Sequence, residues 1–537
     1  MEEQPSLISS KLFLKNRQVE VALSRAVLTW KEIKESKNRI PLIPQADLSH
    51  AVPVSEIVAV HKPEDEDQPQ MRRTQKKNKE SSQFVLYAFT VSYVRRMKQH
   101  QWQCSDVTFL CDSRGLCEQW IQVTNEQLSL LTNRPKSLLV YINPCGGKQR
   151  GKRIYEQKVA PVFRQAGIFT DVIVTERANH ARDHLKTEAN LDKYDGVVCV
   201  GGDGMFSEIL HGLVTRTQRD HDVDQNRPDA ELVSCPSRIG IIPAGSTDCI
   251  CFATVGTNDP VTSALHIIVG DNQPMDVCSV HHKDSFLRYS VSLLGYGFYG
   301  DLLADSEKKR WLGPARYDLS GFKTFFCHNF YEGTVCFLPA EDSVGHPRDK
   351  LQCKSGCRIC QHKLESKEKH NEMPEEKEKA GKDSNKGWNV VRGEFISVNS
   401  ACMSCSCPRC PKGLSPSAHL ADGTTDLILI KKCSRMNFFR HLFRHTNKQD
   451  QFDHSFVEVH RVKKFHFQPK VDSPEDQSYH PENTACGPKC SNPKISNYST
   501  AVSSWTCDGE ILHHAAIQVS VQHQLIRLFA RGIEEQQ

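Results

Sequence analysis

A short strand that ends in three glycines constrains this chain more than any other stretch. Val197 to Val200 form an apolar run long enough for a buried strand. Gly201, Gly202 and Gly204 then remove side chains where the backbone must turn and approach a ligand. From Met205 the spacing becomes helical: Met205, Ile209 and Leu213 share one face, with Phe206 and Leu210 beside them. Strand, glycine turn and helix make a phosphate-binding corner, because free N–H groups and the helix dipole point at the turn. The one charged side chain in that turn, Asp203, would repel phosphate. A carboxylate there must serve otherwise, by holding Mg²⁺ or by taking a proton from an attacking hydroxyl.

The 537 residues suffice for about two to four domains. A net charge of +5 is small for this length. It argues against a dedicated nucleic-acid binder and permits local basic patches facing anionic lipid. No apolar run approaches the roughly 20 residues of a membrane span. The start, Met-Glu-Glu-Gln-Pro, lacks a secretory layout, so the expectation is an intracellular protein. Its 22 cysteines then read as thiols or metal ligands rather than a disulfide framework. Cys199, Cys278 and Cys336, inside strand-like runs, read as small buried residues.

Residues 1–130 alternate strand-like runs with polar turns and end in a helical pattern from Leu116 to Leu128 that turns Trp120 inward. This resembles a pleckstrin-homology (PH) β-barrel closed by a C-terminal helix. Such a module docks on membranes, and Arg95, Arg96 and Lys98 offer a basic surface; a partner-binding barrel is the other reading. The charged stretch His61 to Ser82 reads as a loop. Residues 134–275 follow a βαβα rhythm, predicting an α/β, Rossmann-like parallel sheet with ligands at the strand C-termini. Residues 276–537 are strand-rich and predict a β-rich, sandwich-type domain, with insertions near 341–392 and 468–503.

Three glycine motifs follow strands in the α/β part. Asn143-Pro144-Cys145-Gly146-Gly147 bares backbone N–H groups to phosphate oxygens. Gly146 to Lys152 nearly matches a P-loop, but Arg153 stands where the Mg²⁺-binding hydroxyl belongs. The GGDG stretch is the second motif. Gly245-Ser246-Thr247 is the third, with small hydroxyls suited to phosphate. Gly295 to Gly300 reads G-x-G-x-x-G, but it lacks a βαβ unit. Cys353, Cys357 and Cys360 form CxxxCxxC, whose spacing leaves a metal clip and a redox-sensitive thiol cluster both open. Leu429, Met436 and Leu442 have the 1-8-14 spacing of calmodulin targets; a core strand followed by a packed helix is the blander reading.

The order of these motifs resembles the diacylglycerol kinase-like catalytic family, which includes the sphingosine kinases. The N-terminal module and the CxxxCxxC run resemble its ceramide kinases. The resemblance implies Mg²⁺-ATP as donor, with Ca²⁺ as a further ion, and ceramide as acceptor. It implies Asp203 as catalytic base, and substrate contact at Gly201, Gly202, Asp203 and Gly204. It implies nucleotide contact at the Asn143–Gly147 turn, at Thr175, Glu176, Arg177, Ala178 and Asn179, at Glu208, and at Gly245–Thr247. The late Asp508-Gly509-Glu510 resembles the family's DGE motif. Arg310 and Arg316 match arginines that reach ATP phosphates, and Asp301 and Asp305 flank the position of the lipid-head acid. It further implies calcium–calmodulin and phosphoinositide partners, and a cytoplasmic enzyme peripherally bound to Golgi and plasma membranes. Sphingosine or diacylglycerol kinase, an NAD kinase-like enzyme, and an inactive lipid-binding adaptor remain as rivals.

Overall fold

The computed structural model describes residues 5–33, 49–63, 70–72, 84–313, 315–341, 345–361, 387–408, 410–447, 449–470 and 502–535. The first module is an antiparallel sheet. Its strands are β1 (Ile8–Leu14), β2 (Arg17–Leu23), β3 (Val27–Glu32), β4 (Ser49–Pro53), β5 (Ile57–His61), β6 (Gln70–Arg72), β7 (Phe84–Arg96) and β8 (Trp102–Cys111). They run in the order β4-β3-β2-β1-β8-β7-β5, with β6 against β7. The stretch read as a charged loop therefore contains a short strand, β6; its remainder lies mostly outside the described residues. Alternate residues Val19, Val21 and Leu23 point inward, as a half-buried strand requires. Helix α1 (Arg114–Ser129) closes the module, its first turn capped by the Ser113 hydroxyl, which accepts from Leu116 N–H. Trp120 on α1 is fully buried, stacks on Phe89 and donates to the Ser10 hydroxyl.

Next come β9 (Ser137–Ile142), β10 (Phe169–Val174), β11 (Gly196–Gly201) and β12 (Arg238–Pro243), parallel in the order β10-β9-β11-β12. They alternate with α2 (Gly151–Ile154), which passes through a π-turn into α3 (Ala160–Gln165), and with α4 (His180–Thr187) and α5 (Asp203–Asp220). After β12 come α6 (Cys249–Val255) and α7 (Pro260–Val269). Both faces of this sheet are covered, which is why the strands read as unbroken apolar runs. Leu139, Tyr141, Val197 and Cys199 pack with Met205 and Ile209 of α5. Leu138, Val140, Val198 and Val200 pack on the other side with Phe163 of α3 and Leu265 of α7.

The remainder comprises β13 (Gln273–His282), β14 (Ser285–Ser290), β15 (Leu293–Gly297), α8 (Phe298–Glu307), α9 (Ala315–Cys327), β16 (Tyr331–Pro339), β17 (Asn389–Ala401), β18 (Thr425–Lys431), α10 (Arg435–Arg444), β19 (Val457–Pro469), β20 (Trp505–Cys507), β21 (Glu510–Leu512) and β22 (Ile517–Leu528). The expected break at 275/276 is not a break in the sheet. β22 lies parallel to β12 and antiparallel to β13 and β19, so one 14-stranded sheet runs through both parts. The rest is β-rich, as expected: β16, β17, β18 and β19 pair in a ring around Phe337, Phe395, Leu427 and Phe465. Most of the two expected insertions lies outside the described residues, but 345–361 is ordered against the core.

The first module is fastened to the α/β part and to the far end of the chain. Trp102 of β8 stacks on His266 of α7, ring centroids 3.8 Å apart. Arg134 donates to the carbonyls of Ile57, Val58 and Ile268. Arg96 pairs with Glu56 at 2.7 Å and Glu534 at 2.9 Å, and Arg531 pairs with Glu56 and Asp271. Arg96 is therefore not a free headgroup cation, whereas Arg95 and Lys98 stay exposed.

Candidate active site

Three turns at the C-terminal ends of β9, β11 and β12 meet backbone to backbone. The Asn143 side chain folds the first turn, accepting from the N–H groups of Cys145 and Gly146 at 2.9 and 3.0 Å. Gly147 sits at φ +56, and a Cβ there would lie 2.5 Å from the Ala244 carbonyl oxygen. A Cβ on Gly245 would lie 2.6 Å from the Gly202 Cα and 2.5 Å from an Asp248 carboxylate oxygen. Side chains are excluded here because the turns touch, and Ser246 and Thr247 remain exposed at the rim. Gly204 is exposed and unobstructed, at the start of α5. The result is a crevice walled by main chain, suited to phosphate oxygens.

Asp203 opens α5 and reaches across to α6. Its two carboxylate oxygens accept from the N–H groups of Cys249 and Ile250, each at 3.0 Å. Burial raises its pKa against the pull of those N–H groups, and the Asp508 charge adds to the rise. A carboxylate so raised is a better proton acceptor than one in water. Asp248, which the motif reading passed over although it ends the third glycine motif, lies in the same crevice and accepts from Gly245 N–H at 2.9 Å. Burial pushes it up to about 7, with the Asp203 charge contributing.

A pH test follows for Asp248. Folded, it keeps its proton up to about 7; its ordinary value is 3.8. Its contribution to stability is thus full at low pH and is lost as pH climbs through that window. Asp248→Asn is neutral throughout. In melts without nucleotide or divalent metal, the variant should gain on wild type by ~2 °C or more between about pH 5 and about pH 8. Equal offsets at both values would mean the carboxyl is solvated.

Of the other expected nucleotide contacts, Thr175 to Asn179 join β10 to α4, Glu208 lies on α5, and Asp508 to Glu510 lead from β20 into β21. Thr175 is buried, its N–H and hydroxyl both donating to the Ile142 carbonyl. Glu176 N–H donates to His180, and Arg177 pairs with Asp183 while also donating to the Ala178 carbonyl. Asn179 adopts a left-handed conformation before α4. Glu208 lies on α5 with one carboxylate oxygen buried and without a hydrogen-bond partner among the described residues; burial raises its pKa, against the pull of the Asn179 and Ala181 N–H groups nearby. Asp508, before Gly509 at φ +86, accepts from the N–H groups of Val291, Ser292 and Leu293 and from two serine hydroxyls. Glu510 pairs with Arg288, whose other arm donates to Ser207 on α5. Arg288 went unnoticed in the sequence because nothing local marks it.

Other assignments change. Arg310 and Arg316 both pair with Glu307. Asp301 and Asp305 separate cleanly. Asp305 lies between Lys309 and Lys323; burial pushes its carboxyl up, but the two ammonium groups outweigh this and hold it well below the usual range. Among the described residues, Asp301 meets only neutral donors: the Ser503 hydroxyl at 2.6 Å, the Tyr331 hydroxyl and the Asn329 amide; burial raises its pKa. Gly295 to Gly300 passes from β15 into α8, as expected of a segment without a βαβ unit. The 1-8-14 spacing is not one helix face: Leu429 is fully buried in β18, while Met436 and Leu442 lie on α10. Cys353, Cys357 and Cys360 do converge, on the far side of α6 and with a histidine between them.

Comparison with known proteins follows the same division. Family models described as ceramide kinase PH domain, diacylglycerol kinase catalytic domain and ceramide kinase C-terminal domain match residues 8–124, 137–280 and 348–537. A ceramide kinase of Homo sapiens is 54% identical over 531 residues, covering 98% of this chain and 97% of its own length. One of Mus musculus is 52% identical over 538 residues, covering 98% of each. One of Oryza sativa subsp. japonica is 31% identical over 558 residues, covering 85% of this chain and 86% of its own.

Proposed function

The chain belongs to the ceramide kinase family, and from that premise we propose how its own residues move the γ-phosphoryl group of ATP to the primary hydroxyl of ceramide, giving ceramide 1-phosphate. The observation that carries the reading is a carboxylate of raised pKa, Asp203, set where three bare turns meet. N–H groups of the Asn143–Gly147 and Gly245–Thr247 turns cradle the phosphates. Asp203 accepts the hydroxyl proton as that oxygen bonds to the γ-phosphorus; the bond from phosphorus to the bridging oxygen breaks, and ADP leaves. Mg²⁺ bound with the nucleotide offsets phosphate charge. Asp248, with Asp203 beside it, would hold the ion with hard oxygen donors, which suit Ca²⁺ as well.

Asp301 is the contact for the lipid head. Its lone pairs already serve uncharged donors, and its pKa is raised, which favours the neutral amide and hydroxyls of ceramide over an ammonium head. In a lipid panel with labelled ATP, ceramide should be phosphorylated at least tenfold faster than diacylglycerol or sphingosine, by a difference of about one or two hydrogen bonds. Asp301→Asn should raise KM for ceramide about tenfold and leave KM for ATP unchanged. Equal rates on all three lipids would sink the choice of acceptor.

No helix among the described residues is long and apolar enough to cross a membrane. The enzyme meets its lipid at the surface. α9 exposes Leu319, Phe322 and Phe326, and α10 exposes Met436, Phe439 and Phe443. The two faces adjoin through Phe325, which stacks on Phe438 and meets Phe439 edge-on. This apolar face enters the interface near Asp301, while exposed Arg95 and Lys98 of the PH-like module meet anionic headgroups such as phosphoinositides.

A further inference from the structure

Outside the kinase crevice, three thiols and one imidazole converge where the chain has little regular structure. Cys353, Cys357 and Cys360 come from segment 345–361; His419 comes from the loop before β18, 62 residues after Cys357. All four donor atoms lie within 4.8 Å of one another. The Cys353 and Cys360 sulfurs are 3.7 Å apart, and Cys357 Sγ is 3.3 Å from His419 Nδ1. A disulfide needs about 2.05 Å, so these are separate thiols. A tetrahedron with bonds of about 2.3 Å to sulfur and about 2.0 Å to nitrogen has S···S edges near 3.8 Å and S···N edges near 3.5 Å. The observed separations are those edges. His419 is 2% exposed, its Nδ1 faces the thiols, and its Nε2 has no hydrogen-bond partner among the described residues.

We propose that Cys353, Cys357, Cys360 and His419 bind one structural Zn²⁺. The S₃N donor set is soft and closed, with no fourth position left for water. The ion joins two segments far apart in sequence, 345–361 and the His419 loop. Segment 345–361 already touches the chain end, where Ser355 N–H donates to the Ile533 carbonyl. The His419 loop is held to β13 by Asp276 N–H donating to the Leu420 carbonyl. Cys353 and Leu420 pack with Ala253 and Val255 of α6, the helix whose first N–H groups hold Asp203. The Zn²⁺ clip is thus a buttress behind α6, the helix that holds the Asp203 carboxylate, and not part of the chemistry. His419 escaped the spacing argument because its distance in sequence hides it.

The test uses the full chain, purified under reducing conditions without added metal. Elemental analysis should find about one Zn²⁺ per chain in wild type and less than about a tenth in Cys357→Ser. His419→Ala should lose Zn²⁺ to a chelator at least about tenfold faster. His419→Cys should keep one ion, and in the Co²⁺-loaded form its thiolate-to-metal absorption should rise in the ratio of four thiolates to three. That comparison decides the matter even where a cysteine variant does not fold. A natively melting wild type without metal, one iron per chain in place of zinc, or identical Co²⁺ spectra for wild type and His419→Cys would each overturn the assignment.

Discussion

Asp203→Asn is expected to lower turnover on ceramide by about 10²–10⁴-fold, the range lost when a general base is removed, while ATP still binds. The structure adds a smaller effect that separates from the first. Both Asp203 oxygens accept N–H groups of α6, and Asn supplies an acceptor for only one. The variant should therefore lose about 1 kcal/mol of stability, the scale of a helix-cap defect. A loss of that size leaves nearly all the protein folded and cannot account for a drop of a hundredfold or more. Initial rates with labelled ATP, beside thermal melts and ATP binding on the same sample, check both effects. Near-normal turnover with normal ATP affinity would leave the reaction without its base.

Gly147→Ala should raise KM for ATP about 10²-fold. Its left-handed backbone costs an L side chain about 1–2 kcal/mol. The larger effect is steric: the new Cβ would sit 2.5 Å from the Ala244 carbonyl oxygen and 2.9 Å from the Gly245 Cα. Those are main-chain atoms and have no rotamer to yield, so the two turns must part. A displacement of about 1 Å at a reacting group is enough for a hundredfold loss. Gly115→Ala on α1 is the control, since a Cβ there meets nothing within 4 Å. An unchanged KM for ATP in Gly147→Ala would show that the turns do not need to touch.

What was legible in the chain was local. The run from Val197 to Leu213 gave strand, turn and helix at the observed places, because apolar period and glycine placement act within a few residues. The three glycine motifs could be recognised singly, and the parallel sheet brings them together as its topology requires. What stayed hidden depends on distant partners. Ile517–Leu528 reads as a strand, but nothing in it says that it lies beside β12. Arg96 looks like any surface cation until Glu56 and Glu534 are beside it. Asp301 and Asp305 are alike in sequence; only Lys309 and Lys323 on one side, and Ser503 and Tyr331 on the other, tell them apart. Leu429, Met436 and Leu442 mislead for the converse reason: a spacing survives a change from strand to helix that destroys its geometry.

The knot of Arg96, Glu56, Arg531 and Glu534 has a consequence for posture. Linked modules swivel by default unless their interface is large or tightly knit. Here the guanidinium groups of Arg96 and Arg531 lie 5.1 and 5.0 Å from the Trp102 ring centroid, and the last turn of the chain is bound into the same bundle as the first module. The barrel and the catalytic part therefore move as one stiff body. Any surface that seated the barrel would set the tilt of the catalytic mouth as well, with no linker to take up the difference.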